Sequence, residues 1–236
     1  MQNQTHTVRS FDEDLRNLST RLAAMGGQSE SMVYDAVRAL SHGDTELAGM
    51  VIRSDEVLDL AQREIDEKAV ALIARRQPMA QDLREVIGAM RIAADLERVG
   101  DLGKNIAKRV VAVSEDIRPV QLFRGLEALS QLALAQLKDV LDAYADRSVE
   151  NMDAVRARDE EIDGMYTSIF RELLTYMMED PRNISSCTHL LFCAKNIERI
   201  GDHATNIAET IYFISTGRQL PAERPKDDES HLVSVR

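Results

Sequence analysis

Tryptophan is absent from this chain, and the other aromatics are few: five Phe and five Tyr in 236 residues. Ala, Leu, Ile, Val, Glu, Arg and Met dominate instead, the composition of helices packed on helices. The two cysteines, Cys187 and Cys193, sit six residues apart and make neither a CxxC pair nor a disulfide framework. No run approaches the roughly 18 apolar residues that a membrane span requires. The opening MQNQTHTVRSFDEDL lacks the apolar stretch of a signal peptide, so a cytosolic protein is expected. Basic residues are in deficit, 29 Lys and Arg against 40 Asp and Glu, and the net charge of −11 disfavours nucleic-acid binding by phosphate repulsion. An acidic balance is compatible with solubility or with cation binding. There is no GxxxxGKS/T or GxGxxG loop, no serine or cysteine triad signature and no basic patch interleaved with aromatics, so catalysis has no visible home.

What the chain does contain is one phrase, said twice. Residues 95–106 read DLERVGDLGKNI and residues 196–207 read NIERIGDHATNI, 101 residues apart. A repeat of that length marks a duplicated structural unit. Around the phrase, Ile92, Leu96, Val99, Gly103, Ile106, Val110 and Val113 step 4,3,4,3,4,3, and Cys193, Ile197, Ile200, Ala204, Ile207, Ile211 and Ile214 step identically. That is a heptad seam, the mark of nearly parallel helices packing knobs into holes. The five prolines fall only at boundaries: Pro78 and Pro181 ahead of long helical patterns, Pro119 near the midpoint, Pro221 and Pro225 in a charged tail. Glycines add punctuation at Gly26-Gly27, Gly43 and Gly217. These signals predict six helices, near 8–42, 44–76, 79–114, 120–146, 149–179 and 183–216. The expected fold is all-α, two tandem up-down three-helix bundles. The domains would be 1–116 and 117–217, followed by a flexible tail, 218–236.

Acid pairs at i,i+4 lie one turn apart on one helix face. Chance supplies several in so acidic a chain, so position matters more than spacing. Glu97/Asp101 and Glu198/Asp202 match between copies, and so do Asp55/Asp59 and Asp159/Asp163 on the preceding helix of each half. Glu97 follows seam residue Leu96, and Asp55 is read as off a seam through Val51, Leu58, Ala61 and Ile65. The pairs are therefore expected to rim an exposed surface, with Asn105 and Asn206 one turn further on as additional oxygen ligands. Like charges at this spacing cost a helix roughly 0.2–0.5 kcal/mol per pair. A hard cation would remove that cost, because oxygen ligands suit Mg, Mn, Fe or Ca. A solvated acidic face tied down by Arg98 and Arg199 is the alternative. Gly100 and Gly201, inside the phrase, imply close approach of another segment.

Histidine argues against the enzyme alternative, a carboxylate-bridged metal oxidase or hydrolase. No histidine before the tail has a carboxylate three residues earlier, as the Glu-x-x-His of di-iron bundles requires. His203 beside Asp202 has no counterpart in the first copy, where Leu102 stands. His189 and Cys193 share a helix face and read as core packing. A purely structural spacer would explain the seams but not the duplicated acids.

By these residues the chain resembles the PhoU family. The resemblance runs nearly end to end, through MGGQSESMVYDAVRAL, ARRQPMAQDLR, ERVGD, LLTYMMEDPR and ERIGDHATNI. It implies two repeated three-helix bundles whose (E/D)xxxD motifs bind metal clusters, mapping here onto Asp55, Asp59, Glu97, Asp101, Asp159, Asp163, Glu198 and Asp202. The metal would be iron, manganese, magnesium or zinc. The implied role is a non-enzymatic, cytoplasmic phosphate-signalling adaptor and negative regulator, commonly a homodimer. It would link the ATPase subunit of the phosphate ABC transporter to the sensor histidine kinase of the phosphate two-component system. It would meet the membrane only through those partners, and would bind no nucleic acid.

Overall fold

The computed structural model describes residues 2–113, 120–150 and 152–220. Among them are six α-helices and no strand: α1 Gln2–His42, α2 Thr45–Arg76, α3 Gln81–Ala107, α4 Val120–Asp146, α5 Met152–Glu179 and α6 Ile184–Thr216. These match the expected helices closely except at the start of α1, which begins at Gln2 rather than near residue 8, and at the end of α3, which stops at Ala107 and gives way to a 3-10 turn at Val110–Ala112. The valines there, Val110, Val111 and Val113, are stiff at χ1 and poor helix formers. The expected boundary at 116/117, with Pro119, and the tail from 221 to 236 lie outside the described residues.

The helix ends follow from local chemistry. Asp44 caps α2 by accepting from the Leu47 amide at 2.9 Å. Just before it, Gly43 turns the chain with φ 68°. Gly217 closes α6 in the left-handed region, φ 71°, which a side chain would resist. Asp180 accepts from the Arg182 amide at 2.9 Å and holds the turn that carries Pro181 into α6. Gly26 and Gly27, in contrast, do not punctuate: α1 runs straight through them. A Cβ at Gly26 would come within 2.8 Å of Leu141, so this glycine serves the packing of α1 on α4.

The helices pack as two three-helix bundles, α1–α2–α3 and α4–α5–α6, joined where α3 lies against α6 and α1 against α4. The heptad seams supply the cores, and one apolar cluster runs through both halves. Ile92, Leu96, Val99 and Ile106 of α3 are wholly buried, as are Cys193, Ile197, Ile200, Ala204 and Ile207 of α6. Burial of each such aliphatic side chain contributes about 1.5–3 kcal/mol. The glycines of the repeat work as expected. A Cβ at Gly100 would sit 2.1 Å from Leu58 of α2, and one at Gly103 would press on the α1 backbone, 3.4 Å from the Val33 nitrogen.

Candidate functional site

The acid pairs do not rim an exposed surface, which corrects the expectation from the sequence. Asp159, Asp163 and Glu198 are buried, at 7%, 6% and 3% exposure, and Asp55 is at the edge of burial. Asp59, Glu97, Asp101 and Asp202 are half-buried. Two physical causes explain the difference. Asp55 and Asp159 occupy the seams themselves: the buried stripe of α2 is Val51, Asp55, Leu58, Ile65, Ala69 and Leu72, and that of α5 is Val155, Asp159, Ile162, Tyr166, Ile169 and Leu173. Ala61, read earlier as a seam residue, is only half-buried. Secondly, α3 and α6 each have three helix neighbours, so their burial extends well beyond one stripe.

In the first half the acids converge on a lysine. Lys104 Nζ donates to Asp55 Oδ2 of α2 and to Asp101 Oδ1 of α3, each at 2.5 Å. Its side chain is only 19% exposed. Burial works against the ammonium, but hydrogen bonds to Asp101 and Asp55 outweigh it and hold Lys104 well above the ordinary lysine value. Glu97 shows the opposite strain: burial, then the nearby Asp101 charge, lifts its carboxyl above the usual range. Arg98, one residue on, is exposed and only 3.7 Å from Glu97 at its nearest approach.

The second half solves the same problem differently. Thr205 stands where Lys104 stands in the first copy. Its hydroxyl contacts Asp159 Oδ1 at 3.0 Å and the Gly201 carbonyl at 3.2 Å, and accepts from Gln136 Nε2 at 3.1 Å. Gln136 also donates to the Val155 carbonyl at 3.0 Å, which pins α4 to α5. The lysine beside the acids of this half is Lys195, one turn before Glu198. Its Nζ donates to Glu198 Oε1 at 2.8 Å and lies 4.9 Å from the Tyr166 ring centroid. Glu198 Oε2 is buried with no hydrogen-bond partner. Burial pushes this carboxyl up to about 7, against the pull of Lys195. An orphaned, buried carboxylate oxygen is what a hard cation would satisfy. Among the described residues, however, no three His, Cys, Asp or Glu side chains are already arranged around one ion position.

The other nominated residues sit apart from these clusters. Asn105 is exposed, and Asn206 lines a groove of ≈ 740 Å³ that also includes Asp95 and Phe213. His203 turns away from its neighbour Asp202: its Nδ1 pairs with Asp95 Oδ1 of α3 at 2.9 Å, a link between halves. Cys193 is core, as expected, and His189 takes a 3.1 Å hydrogen bond from Arg109. Both cysteines are free. A second groove, of ≈ 760 Å³, lies between the halves and is lined by Tyr144, Arg147 and Ile214, with none of the acid pairs. Sequence reasoning missed Lys104, Lys195, Gln136 and Thr205. The signal for two of them was present: DLGKNI and DHATNI differ at Leu102/His203, Gly103/Ala204 and Lys104/Thr205, and only the last of these exchanges a charge.

Comparison with known proteins bears on this arrangement. The PhoU domain model matches twice, at residues 22–110 and 126–211. The chain is 65% identical over 231 residues to the phosphate-specific transport system accessory protein PhoU homolog of Rhizobium meliloti (strain 1021), covering 98% of both chains. It is 52% identical to the homolog of Caulobacter vibrioides (strain NA1000 / CB15N), covering 94% of this chain and 97% of that one. Its structure resembles the crystal structure of PhoU from Pseudomonas aeruginosa, with TM-score 0.84, 36% identity, and coverage of 88% of this chain and all of the other. The phosphate transport system regulatory protein PhoU from Streptococcus pneumoniae is similar too, with TM-score 0.82, 29% identity, and coverage of 89% and 99%.

Proposed function

Since the chain belongs to the PhoU family, we propose that it is an accessory protein of phosphate-specific transport that acts as an adaptor rather than an enzyme. It restrains phosphate uptake and the phosphate regulon when phosphate is plentiful. Its partners are the ATPase subunit of the phosphate ABC transporter and the sensor histidine kinase of the phosphate two-component system. It works in the cytoplasm as a homodimer. The observation that carries this reading is the end-to-end likeness to relatives named for phosphate transport. No described helix is long and apolar enough to cross a membrane, which agrees with contact to the membrane through partners. Long helical faces suit docking better than a deep pocket does.

The acid pairs are the metal sites of this reading: Asp55, Asp59, Glu97 and Asp101 in one half, Asp159, Asp163, Glu198 and Asp202 in the other. The donor set is carboxylate oxygen, which suits iron, manganese or magnesium, and the orphaned Glu198 Oε2 supports a fit. A bound cation would neutralise acids that helix packing has crowded together and would brace α2 to α3 or α5 to α6.

Deletion of the gene should raise phosphate-regulon expression in phosphate-rich medium. Unchanged expression counts against the adaptor role. Metal analysis of protein purified without chelator should find bound metal that is lost in a variant with all four acid pairs changed to amides. Equal metal content in both removes the metal part and leaves the adaptor part standing.

A further inference from the structure

We infer that the chain pairs with a second copy of itself through the outer face of α2, antiparallel, with Val57 against the partner's Leu60 and Arg53 against the partner's Glu64. This rests on the homodimer reading above and says which face carries it.

Besides its buried stripe, α2 carries a second one that faces outward. Residues 46, 50, 53, 57, 60, 64, 67, 71 and 74 step 4,3,4,3,4,3,4,3. At roughly 1.5 Å per residue the stripe runs for about 42 Å. All of its positions are exposed except Ala71, which is half-buried. Met50, Val57 and Leu60 on it are each at least 50% exposed. Single apolar side chains scattered over a surface are ordinary. These three share the 4,3 spacing at which two helices interlock. Among the described residues the main neighbours of α2 are α1 and α3, on its buried side. The second copy of the repeat lacks this feature. When Asp55 is aligned with Asp159, Met50, Val57 and Leu60 correspond to Ala154, Glu161 and Gly164 of α5. A Cβ at Gly164 would meet nothing within 4 Å, so the glycine there marks bare surface.

Charge decides what covers the stripe and in which register. A twofold axis crossing α2 midway between Leu58 and Asp59 maps the stripe onto itself. Val57 then faces the partner's Leu60, Arg53 faces the partner's Glu64, and Met50 lies along the stem of the partner's Glu67. Each contact is made twice, as in any twofold interface. The result is an apolar centre flanked by two opposite-charge pairs. Parallel pairing in register would set Arg53 on Arg53 and Glu64 on Glu64, and like charges so placed are repulsive. Sliding the antiparallel pair toward the N-terminus by one repeat of the stripe sets Glu46 against Glu64. Sliding it the other way sets Glu64 against Leu60 and Glu67 against Val57, which strips carboxylates of water without pairing them. Glu64 is also held in advance by Arg21 of α1, so less freedom is lost when the partner arrives.

Analytical ultracentrifugation of the full chain over a range of concentrations measures the dimer dissociation constant, with circular dichroism to check that each variant keeps its helices. Leu60→Asp, which puts a charge in the apolar centre of both copies, should raise that constant at least about a hundredfold. Glu161→Ala, at the position of α5 that corresponds to Val57, should leave it within about twofold. Arg53→Glu alone and Glu64→Arg alone should each weaken pairing at least about tenfold. An equal mixture of those two variants should pair to within about threefold of the wild type, because each altered side chain then meets an opposite charge. Should Leu60→Asp lose its helical signal, Val57→Gln serves in its place. A dimer that Leu60→Asp leaves intact, or a mixture that pairs no better than its separate components, overturns the inference and leaves the homodimer standing. A wild-type chain that stays monomeric at every concentration rejects the homodimer reading itself, and the inference with it.

Discussion

Lys104 and Thr205 occupy one position in two copies of a helix, and both reach to the aspartate in the seam of the preceding helix. Lys104 Nζ meets Asp55 at 2.5 Å, and Thr205 Oγ1 meets Asp159 at 3.0 Å. Each aspartate sits where an apolar residue would complete the heptad. A charge in such a place is tolerable only when it is hydrogen-bonded. At this position one copy meets that requirement with an ammonium and the other with a hydroxyl.

Thr205→Val keeps shape and removes the hydroxyl. Asp159 loses a donor and Gln136 loses an acceptor, in a site where Thr205 is 1% exposed. The metal-free protein should lose about 1–3 kcal/mol. Urea denaturation in EDTA measures it, and a midpoint equal to the wild type's contradicts the network.

Gly100→Ala and Gly201→Ala should differ. A Cβ at Gly100 would overlap Leu58, a 1% exposed core residue, at 2.1 Å, whereas at Gly201 the nearest atom is Ile162 Cδ1 at 3.0 Å. Overpacking costs about 1–3 kcal/mol, against a gain of about 1 kcal/mol in helix propensity. Gly100→Ala should therefore destabilise by up to about 2 kcal/mol while Gly201→Ala stays near neutral. Thermal melts decide it, and a reversed order would be wrong for this packing.

The Asp95–His203 pair joins α3 of one half to α6 of the other at 2.9 Å. A double-mutant cycle with Asp95→Ala and His203→Ala should show coupling of about 0.5–1.5 kcal/mol. Strict additivity of the two changes would deny the link.

Cys193 is wholly buried, and burial pushes its thiol up to about 12. At pH 8 only about one thiol in ten thousand is ionised, and thiolate is the reactive form. Burial also raises Cys187. A disulfide-exchange reagent should leave the folded protein unlabelled and react with both cysteines after denaturation. Prompt labelling of the native protein would contradict the core placement.

Helix number, helix order and the seams of α3 and α6 were legible because 4,3 spacing of apolar residues has one economical solution, a stripe buried against neighbours. The duplicated acid pairs were legible as positions. Their surroundings were not. Reading Asp55 as off the seam follows from assuming that seams contain only apolar residues. Val155, Asp159 and Ile162 keep the 4,3 step when the aspartate is admitted, so that part of the error lay in the rule rather than in the residues.

The sequence by itself determined the repeat, the helical class and which residues share a stripe, since these depend on local geometry and spacing. The tertiary structure alone decided how far burial reaches around each helix. α3 and α6 each have three helix neighbours, and that closes Glu198 off from water. It also decided that Lys104 and Lys195 make the short contacts with the acids, while the exposed Arg98 comes only to 3.7 Å from Glu97. Long side chains choose partners by distance across helices, and no one-dimensional spacing encodes that distance.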